Sequence, residues 1–151
     1  LYTSKARGML LLEKGPDAAA ALEAYQKDHS VFYIQKKIHI QEHDLGIAFL
    51  GGQYLTTYAR KKNNDAWNTT IRSGGTFAAV DPPEGVIALA QQAQALFGLD
   101  FTCVDIAMTK NGPVVFEVSA FGGFRGIQET RDMDPAKLYT DYVLKRIGHA
   151  H

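Results

Sequence analysis

Two carboxylates stand inside runs that otherwise read as apolar strands. Asp105 lies within Cys103-Val104-Asp105-Ile106-Ala107-Met108, and Glu117 within Val114-Val115-Phe116-Glu117-Val118-Ser119. A lone carboxylate in an apolar strand is costly to bury unless it is paired or bound to a metal. Two of them on adjacent strands suggest a divalent-cation site, and the turn between the strands decides whether they meet. A two-residue Asn111-Gly112 turn would set Asp105 against Val118 and put the acids on opposite faces. A three-residue loop, Lys110-Asn111-Gly112, pairs Asp105 with Glu117 on one face. Such loops want a type I turn followed by a residue of positive φ, and Gly112 stands at that place. The three-residue loop is therefore expected, with Ser119 two residues beyond Glu117 on the same face. The pattern leaves another reading open, in which both acids lie on the solvent face of an ordinary hairpin.

The remaining elements have to hold this hairpin. A length of 151 residues suits one domain or two small subdomains, and 46% hydrophobic residues supply a core. Sixteen basic residues balance sixteen acidic ones, which removes any bulk-charge argument for nucleic acid or a membrane surface. The single Cys103 excludes an internal disulfide framework and fits a reducing compartment. No apolar run approaches the roughly 20 residues that span a bilayer, and no signal-peptide pattern is visible. The chain begins at Leu1 rather than Met, so it reads as a fragment whose site could extend upstream.

In chain order, the first stretch is short, polar and basic. Its Ser4, Lys5, Arg7 and Gly8 could wrap a phosphate, although taken alone the stretch reads more simply as a frayed terminus. Residues 9–13 read as a strand, 17–29 as a helix with Ala18, Ala21, Leu22 and Tyr25 on one face, and 31–40 as a second strand. Asp44 is expected in a polar connection before a strand at 45–50. Gly51-Gly52 turns that strand into another at 53–61, which ends in Arg60 and Lys61. Residues 62–75 read as a long loop carrying Arg72. A short strand at 77–80 precedes a helix whose apolar face would be Val86, Leu89, Ala90, Ala93, Leu96 and Phe97, closed by Gly98. The acid hairpin follows, then a glycine-bearing loop at 120–126 with exposed Phe121, Phe124 and Arg125. A final helix opens at Asp134-Pro135, with Tyr139, Tyr142, Val143 and Ile147 as its stripe. The histidines lack zinc-site spacing, and His149 and His151 read as tail residues.

Taken in this order, the parts resemble the C-terminal portion of the ATP-grasp ligases, most closely the RimK-like glutamate ligases. Ser4-Lys5-Ala6-Arg7-Gly8-Met9 is similar to the phosphate-covering loop of that family, and Gln35-Lys36-Lys37-Ile38 to its adenine-binding linker. Asp44-Leu45, Leu50-Gly51-Gly52 and Tyr58-Ala59-Arg60-Lys61 resemble a family hairpin, and Thr70-Ile71-Arg72-Ser73-Gly74-Gly75 the loop before its helix. Asp105, Glu117-Val118-Ser119-Ala120 and Gly123-Phe124-Arg125-Gly126 resemble the metal-binding end.

The resemblance implies an α+β class and an ATP-grasp fold, with two α+β subdomains and antiparallel sheets. Residues 1–40 would be part of the small subdomain, 41–151 the large one with the metal site, and an N-terminal domain would be absent. It implies ATP and Mg²⁺ (or Mn²⁺) as cofactors. Lys36 and Ile38 would present backbone groups to adenine, with Gln35 and Lys37 beside them, and Asp44 would accept a ribose hydroxyl. Arg60 and Arg72 would stabilise the transferring phosphate or a substrate carboxylate. Asp105, Glu117 and Ser119 would form the metal end, and Arg125 could clamp a substrate carboxylate. The implied reaction joins a small-molecule or peptide carboxylate to an amine such as an amino acid, through an acyl phosphate. The implied setting is cytoplasmic, without nucleic acid or membrane partners, and a homo-oligomer is compatible with it. Three positions depart from the family pattern. Ser119 stands for the usual Asn metal ligand, Gly46 for an Arg two residues after Asp44, and Thr70 for an Asn. These departures keep a second class open, a nucleotide-binding or regulatory module without catalysis. A plain structural domain with surface acids is the third.

Overall fold

Strand alternation over residues 43–119 builds one antiparallel sheet in a computed structural model, which describes residues 8–63 and 68–148. Its strands are β1 (His43–Leu50), β2 (Gln53–Lys61), β3 (Thr76–Ala79), β4 (Phe101–Thr109) and β5 (Gly112–Ser119), in the order β3-β2-β1-β4-β5. The helices are α1 (Ala18–Asp28), α2 (Glu84–Ala95), α3 (Arg125–Thr130) and α4 (Pro135–Gly148), and a short 3₁₀ turn spans Ile71–Ser73. The chain divides into two compact units, Leu1–Lys37 and Ile38–His151.

The first unit holds α1 and, among its described residues, no strand. The strands expected at 9–13 and 31–40 are not formed. A strand needs a hydrogen-bonded neighbour, and neither stretch has one here. Val31, Tyr33 and Ile34 are accordingly exposed. Order in this unit comes from Tyr25, whose hydroxyl donates to the Gly8 carbonyl at 2.6 Å and whose ring stacks on His29 at 4.1 Å. Ser4, Lys5 and Arg7 lie outside the described residues. Gln35, Lys36 and Lys37 are exposed at the end of this unit, and Ile38 opens the second.

In the second unit the sheet has two different faces. On one face Leu45, Ile47 and Phe49 of β1, Ala59 of β2, and Val104 and Ile106 of β4 are buried beneath Val86 and Ala90 of α2. Burying each of the larger side chains stabilises the fold by about 1.5–3 kcal/mol. Leu96 and Phe97, expected on the apolar face of α2, lie past its end and are exposed, because the helix stops at Ala95 and Gly98 turns the chain with φ +59°. The opposite face carries Ala48, Tyr58, Phe101 and Cys103, covered by Ile127 of α3 and flanked by Tyr139 of α4. Asp134 caps α4, accepting at 3.0 Å from the N–H groups of both Ala136 and Lys137. Ile147, expected in the apolar stripe of α4, is exposed. Phe121 and Phe124 join Phe101 and Tyr139 in an aromatic cluster, with ring centroids 5.1 Å apart for Phe101–Phe121 and 5.3 Å for Phe101–Phe124.

Both hairpin turns follow from glycines. Gly51 and Gly52 adopt φ of +59° and +76°, the double positive φ of a tight two-residue turn. The acid hairpin corrects the expected three-residue loop. Thr109 pairs with Gly112, so the loop is Lys110-Asn111 alone. Gly112 spends its positive φ, +105°, as the first residue of β5, and Thr109 Oγ1 bridges the turn by donating to the Gly112 carbonyl at 2.7 Å. A bulge then skips Phe116, and the register beyond it sets Asp105 opposite Glu117. The acids do share one face; the bulge, not the loop length, brings them there. Asp44, expected in a connection, is the second residue of β1. Arg125 and Gly126, expected in a loop, open α3.

Tyr58 locks the second face. It pairs with Gly46 across β1 and β2, and a methyl group on Gly46 would stand 2.5 Å from its Cζ. A methyl on Gly126 would stand 2.6 Å from its Cε2, so the ring is held between two glycines and cannot step aside. Gly46→Ala is therefore expected to lower unfolding free energy in urea by about 1–3 kcal/mol, the ordinary cost of overpacking. An unchanged denaturation midpoint would show that the ring has room to move.

Candidate functional site

Because side chains alternate along a strand, residues two apart share a face. Asp44 and Gly46 of β1, Tyr58 and Arg60 of β2, Cys103 and Asp105 of β4, and Glu117 and Ser119 of β5 therefore meet on the α3 side of the sheet. The register fixes the rows. Asp44 pairs with Arg60, Gly46 with both Tyr58 and Asp105, Asp105 with Glu117, and Cys103 with Ser119.

Arg60 is the centre of this group. Its Nε donates to Asp44 Oδ2 at 2.9 Å and its Nη2 to the same oxygen. Nη2 also lies 2.8 Å from Asp105 Oδ2. One guanidinium thus ties β2 to β1 and β4. Burial pushes the Arg60 pKa down, but Asp105 and Asp44 more than reverse this and the net shift is upward. Asp44 has no exposed surface, and its Oδ1 finds no hydrogen-bond partner among the described residues. Burial drives the Asp105 carboxyl up from 3.8 to about 6, against the opposing pull of Arg60, with smaller upward contributions from Asp44 and Glu117. The other Asp105 oxygen, Oδ1, lies 3.6 Å from Cys103 Sγ. Burial first, and Asp105 next, push the Cys103 thiol up to about 12, so it is a neutral thiol. Tyr58 completes the line with its hydroxyl 3.5 Å from Cys103 Sγ; burial raises its pKa as well.

Glu117 is exposed and accepts from Ser119 Oγ at 2.7 Å. Among the described residues no three His, Cys, Asp or Glu side chains converge as a metal cluster. The available donors are the two facing carboxylates and the Ser119 hydroxyl. All are hard oxygens, which suit a divalent cation of the Mg²⁺ kind that keeps several of its waters. Arg72 is exposed on the 3₁₀ turn before β3. Arg125 is paired with Glu129 one helical turn on, and its guanidinium lies 5.8 Å over the Phe77 ring. The structure thus brings Asp44, Arg60, Asp105, Glu117 and Ser119 into one group. Arg72 and Arg125 stand on separate elements of the same unit. Phe121 and Phe124 pack with Phe101 and Tyr139, and Phe121 keeps its expected exposure.

The sequence reading missed Tyr58 and Cys103, although each lies two residues from a site residue and period-two alternation puts it on the same face. It also missed Arg131, which donates to the carbonyls of Thr57 and Val80 and pairs with Asp81, clipping the end of α3 to the sheet. No local pattern marks that contact.

Comparison with known proteins now defines the class. Residues 1–143 match the RimK-like ATP-grasp domain family, and the chain belongs to that family. It is 27% identical over 146 residues to a probable alpha-L-glutamate ligase of Maridesulfovibrio salexigens, covering 96% of this chain and 48% of that protein. A probable alpha-L-glutamate ligase of Sodalis glossinidius is 28% identical over 142 residues, covering 93% and 48%. The chain therefore spans about half the length of these curated relatives. Among solved structures, it superposes on the ATP-grasp ligase PsnB, complexed with a phosphomimetic variant of its minimal precursor, Mg and ADP. The TM-score is 0.55 at 19% identity, over 70% of this chain and 34% of that one. The macrocyclase MdnC of Microcystis aeruginosa, bound with precursor peptide MdnA, gives 0.52 at 16% identity, over 72% and 34%. These two likenesses establish the ATP-grasp fold. Among the described residues no helix is long and apolar enough to cross a membrane.

The Asp105 geometry carries a pH consequence. Between pH 3.8 and about 6 the folded chain holds a proton that the unfolded chain releases. The stability from this group is thus fully present below about pH 4 and is lost as pH rises through about 6. A ¹³C carboxyl NMR titration of the metal-free chain is expected to show Asp105 with a midpoint near pH 6. A midpoint in the ordinary aspartate range would mean that Arg60 outweighs burial.

Proposed function

We propose that this chain is the nucleotide- and metal-binding part of an ATP-dependent carboxylate–amine ligase. The observation that carries the reading is the facing pair Asp105 and Glu117, on one sheet face with Arg60 beside them, in a member of the RimK-like ATP-grasp family. In this reading Asp105 and Glu117 hold Mg²⁺ or Mn²⁺, with Ser119 as a hydroxyl donor in the same row. The bound cation neutralises phosphate oxygens. Arg60 and Arg72 supply positive charge where the transferring phosphate gathers negative charge. Ser4, Lys5, Arg7 and Gly8 keep the phosphate-loop role, Gln35, Lys36, Lys37 and Ile38 the adenine role, and Arg125 the substrate carboxylate. Asp44 is reassigned. With no exposed surface and a carboxylate already bound to Arg60, it orients the guanidinium rather than meeting a ribose.

The chemistry proceeds in two steps. A substrate carboxylate oxygen attacks the γ-phosphorus of ATP, the bond to the β–γ bridging oxygen breaks, and ADP leaves an acyl phosphate. An amine then attacks the acyl carbon, loses a proton and expels inorganic phosphate, leaving an amide. The protein's share is to position the reactants and to match the developing charge. The names of the curated relatives support an amino-acid amine such as glutamate. A reducing cytoplasmic setting fits the single thiol.

One observation favours a second reading, a Mg-nucleotide-binding module without catalysis. Ser119 Oγ is turned onto Glu117 and is a neutral donor weaker than an amide oxygen. Hydroxylamine separates the two readings. A full-length protein carrying this chain, given ATP, Mg²⁺, free amino acids and peptide carboxylates, is expected to form a hydroxamate in step with ADP, and Asp105→Ala is expected to abolish both. ATP binding with neither ADP nor hydroxamate would favour the module, and formation of AMP and pyrophosphate would contradict the acyl-phosphate route.

A further inference from the structure

Arg60 already occupies one of the two oxygens that Asp105 could offer a cation. Its Nη2 lies 2.8 Å from Asp105 Oδ2, and the other Asp105 oxygen faces the Cys103 thiol at 3.6 Å. A guanidinium and a divalent cation repel each other strongly across one shared oxygen, the more so in a buried setting. The other end of the Arg60 contact is different in kind. Asp44 is fully buried, takes both Nε and Nη2 on one oxygen, and is reached by no other cation among the described residues. Arg60 is therefore fixed at Asp44 and replaceable at Asp105. Its side chain is 19% exposed, and Nη1 has no hydrogen-bond partner among the described residues. The charges agree with an exchange. Asp44, Asp105 and Glu117 against the single Arg60 leave a net charge of about −2 with all three acids ionised, which one divalent cation neutralises.

We propose that Arg60 guards Asp105, with Asp44 as its pivot. Without a cation the guanidinium covers the Asp105 carboxylate. When a cation arrives Arg60 releases Asp105, keeps Asp44, and turns its free edge toward an anionic oxygen such as a nucleotide phosphate. The inference rests on the reading of Asp105 and Glu117 as a cation site. It makes Asp44 a positioning residue and links the two ligands, since a cation that frees Arg60 favours the anion and the anion favours the cation by the same factor.

Mn²⁺ alone, without nucleotide, tests this. Free Mn²⁺ is counted by electron paramagnetic resonance during titration of the full chain, its Arg60→Gln variant and its Asp105→Asn variant. Arg60→Gln leaves the Asp44 carboxylate buried alone, so the double variant Asp44→Asn/Arg60→Gln repeats the test in a chain without that orphaned charge. Removing the guard is expected to tighten Mn²⁺ binding about tenfold in both Arg60 variants, within the usual range of coupling between sites. Asp105→Asn is expected to lose the binding. Unchanged or weaker Mn²⁺ affinity in both Arg60 variants, with binding still dependent on Asp105, overturns the guard and leaves the cation site standing. Binding that is absent throughout, or that survives Asp105→Asn, overturns the cation reading and the guard with it.

Discussion

The ion group Asp44–Arg60–Asp105 is the constraint on which the rest of the second unit depends. Three charged side chains from three neighbouring strands meet on a largely buried face, and none could be there alone. A carboxylate as deeply buried as Asp44 costs several kcal/mol unless a hydrogen-bonded cation accompanies it. Arg60 supplies that cation because β1 and β2 pair Asp44 directly with Arg60. Asp105 comes within reach because β4 pairs with β1 on the other side, in a register that sets it one row along at Gly46. The strand order β2-β1-β4 is thus written into the charges as well as into the apolar core. A register slip of one residue would turn Arg60 to the opposite face and leave two buried acids without a partner.

The apolar parts of the molecule serve this arrangement. The α2 face supplies a continuous core of Leu45, Ile47, Phe49, Val104 and Ile106, which holds the central strands in register. The α3 face is divided. One end is filled by Tyr58, Phe101, Ile127 and the aromatic cluster, and the other is given to the charged row. Tyr58 sits at the boundary between them, paired with Gly46 across β1 and β2. The ring covers the position that a side chain on residue 46 would use.

Much of the fold was legible in the sequence because alternation and turn residues are local signals. β2 and the Gly51-Gly52 turn fall where the pattern puts them, and α1 and α4 begin within a residue of their expected starts. Pairing was less legible. The Phe116 bulge has no sequence mark, yet it determines that Asp105 and Glu117 meet. Residues 9–13 and 31–40 have strand-like composition, but a strand is defined by its neighbour, and composition says nothing about one. For the site, residue type singled out Asp105 and Glu117 as candidates, and the resemblance added Arg60. It did not reveal that Arg60 holds both aspartates, because that contact joins residues 16 apart in one case and 45 apart in the other. Asp44 reads as part of a polar connection because acids are mostly exposed, and only its strand partner explains its burial.

The most direct test of the account is a thermal-shift measurement of this chain with ATP, with and without Mg²⁺, alongside Asp105→Ala and Glu117→Ala. Ligand at about 100 times its Kd adds roughly 2.7 kcal/mol of stability to the folded state. The account predicts a rise in Tm that requires Mg²⁺ and that each substitution removes. A Mg²⁺-dependent rise that survives in both variants would contradict the assignment of the cation to the facing carboxylates.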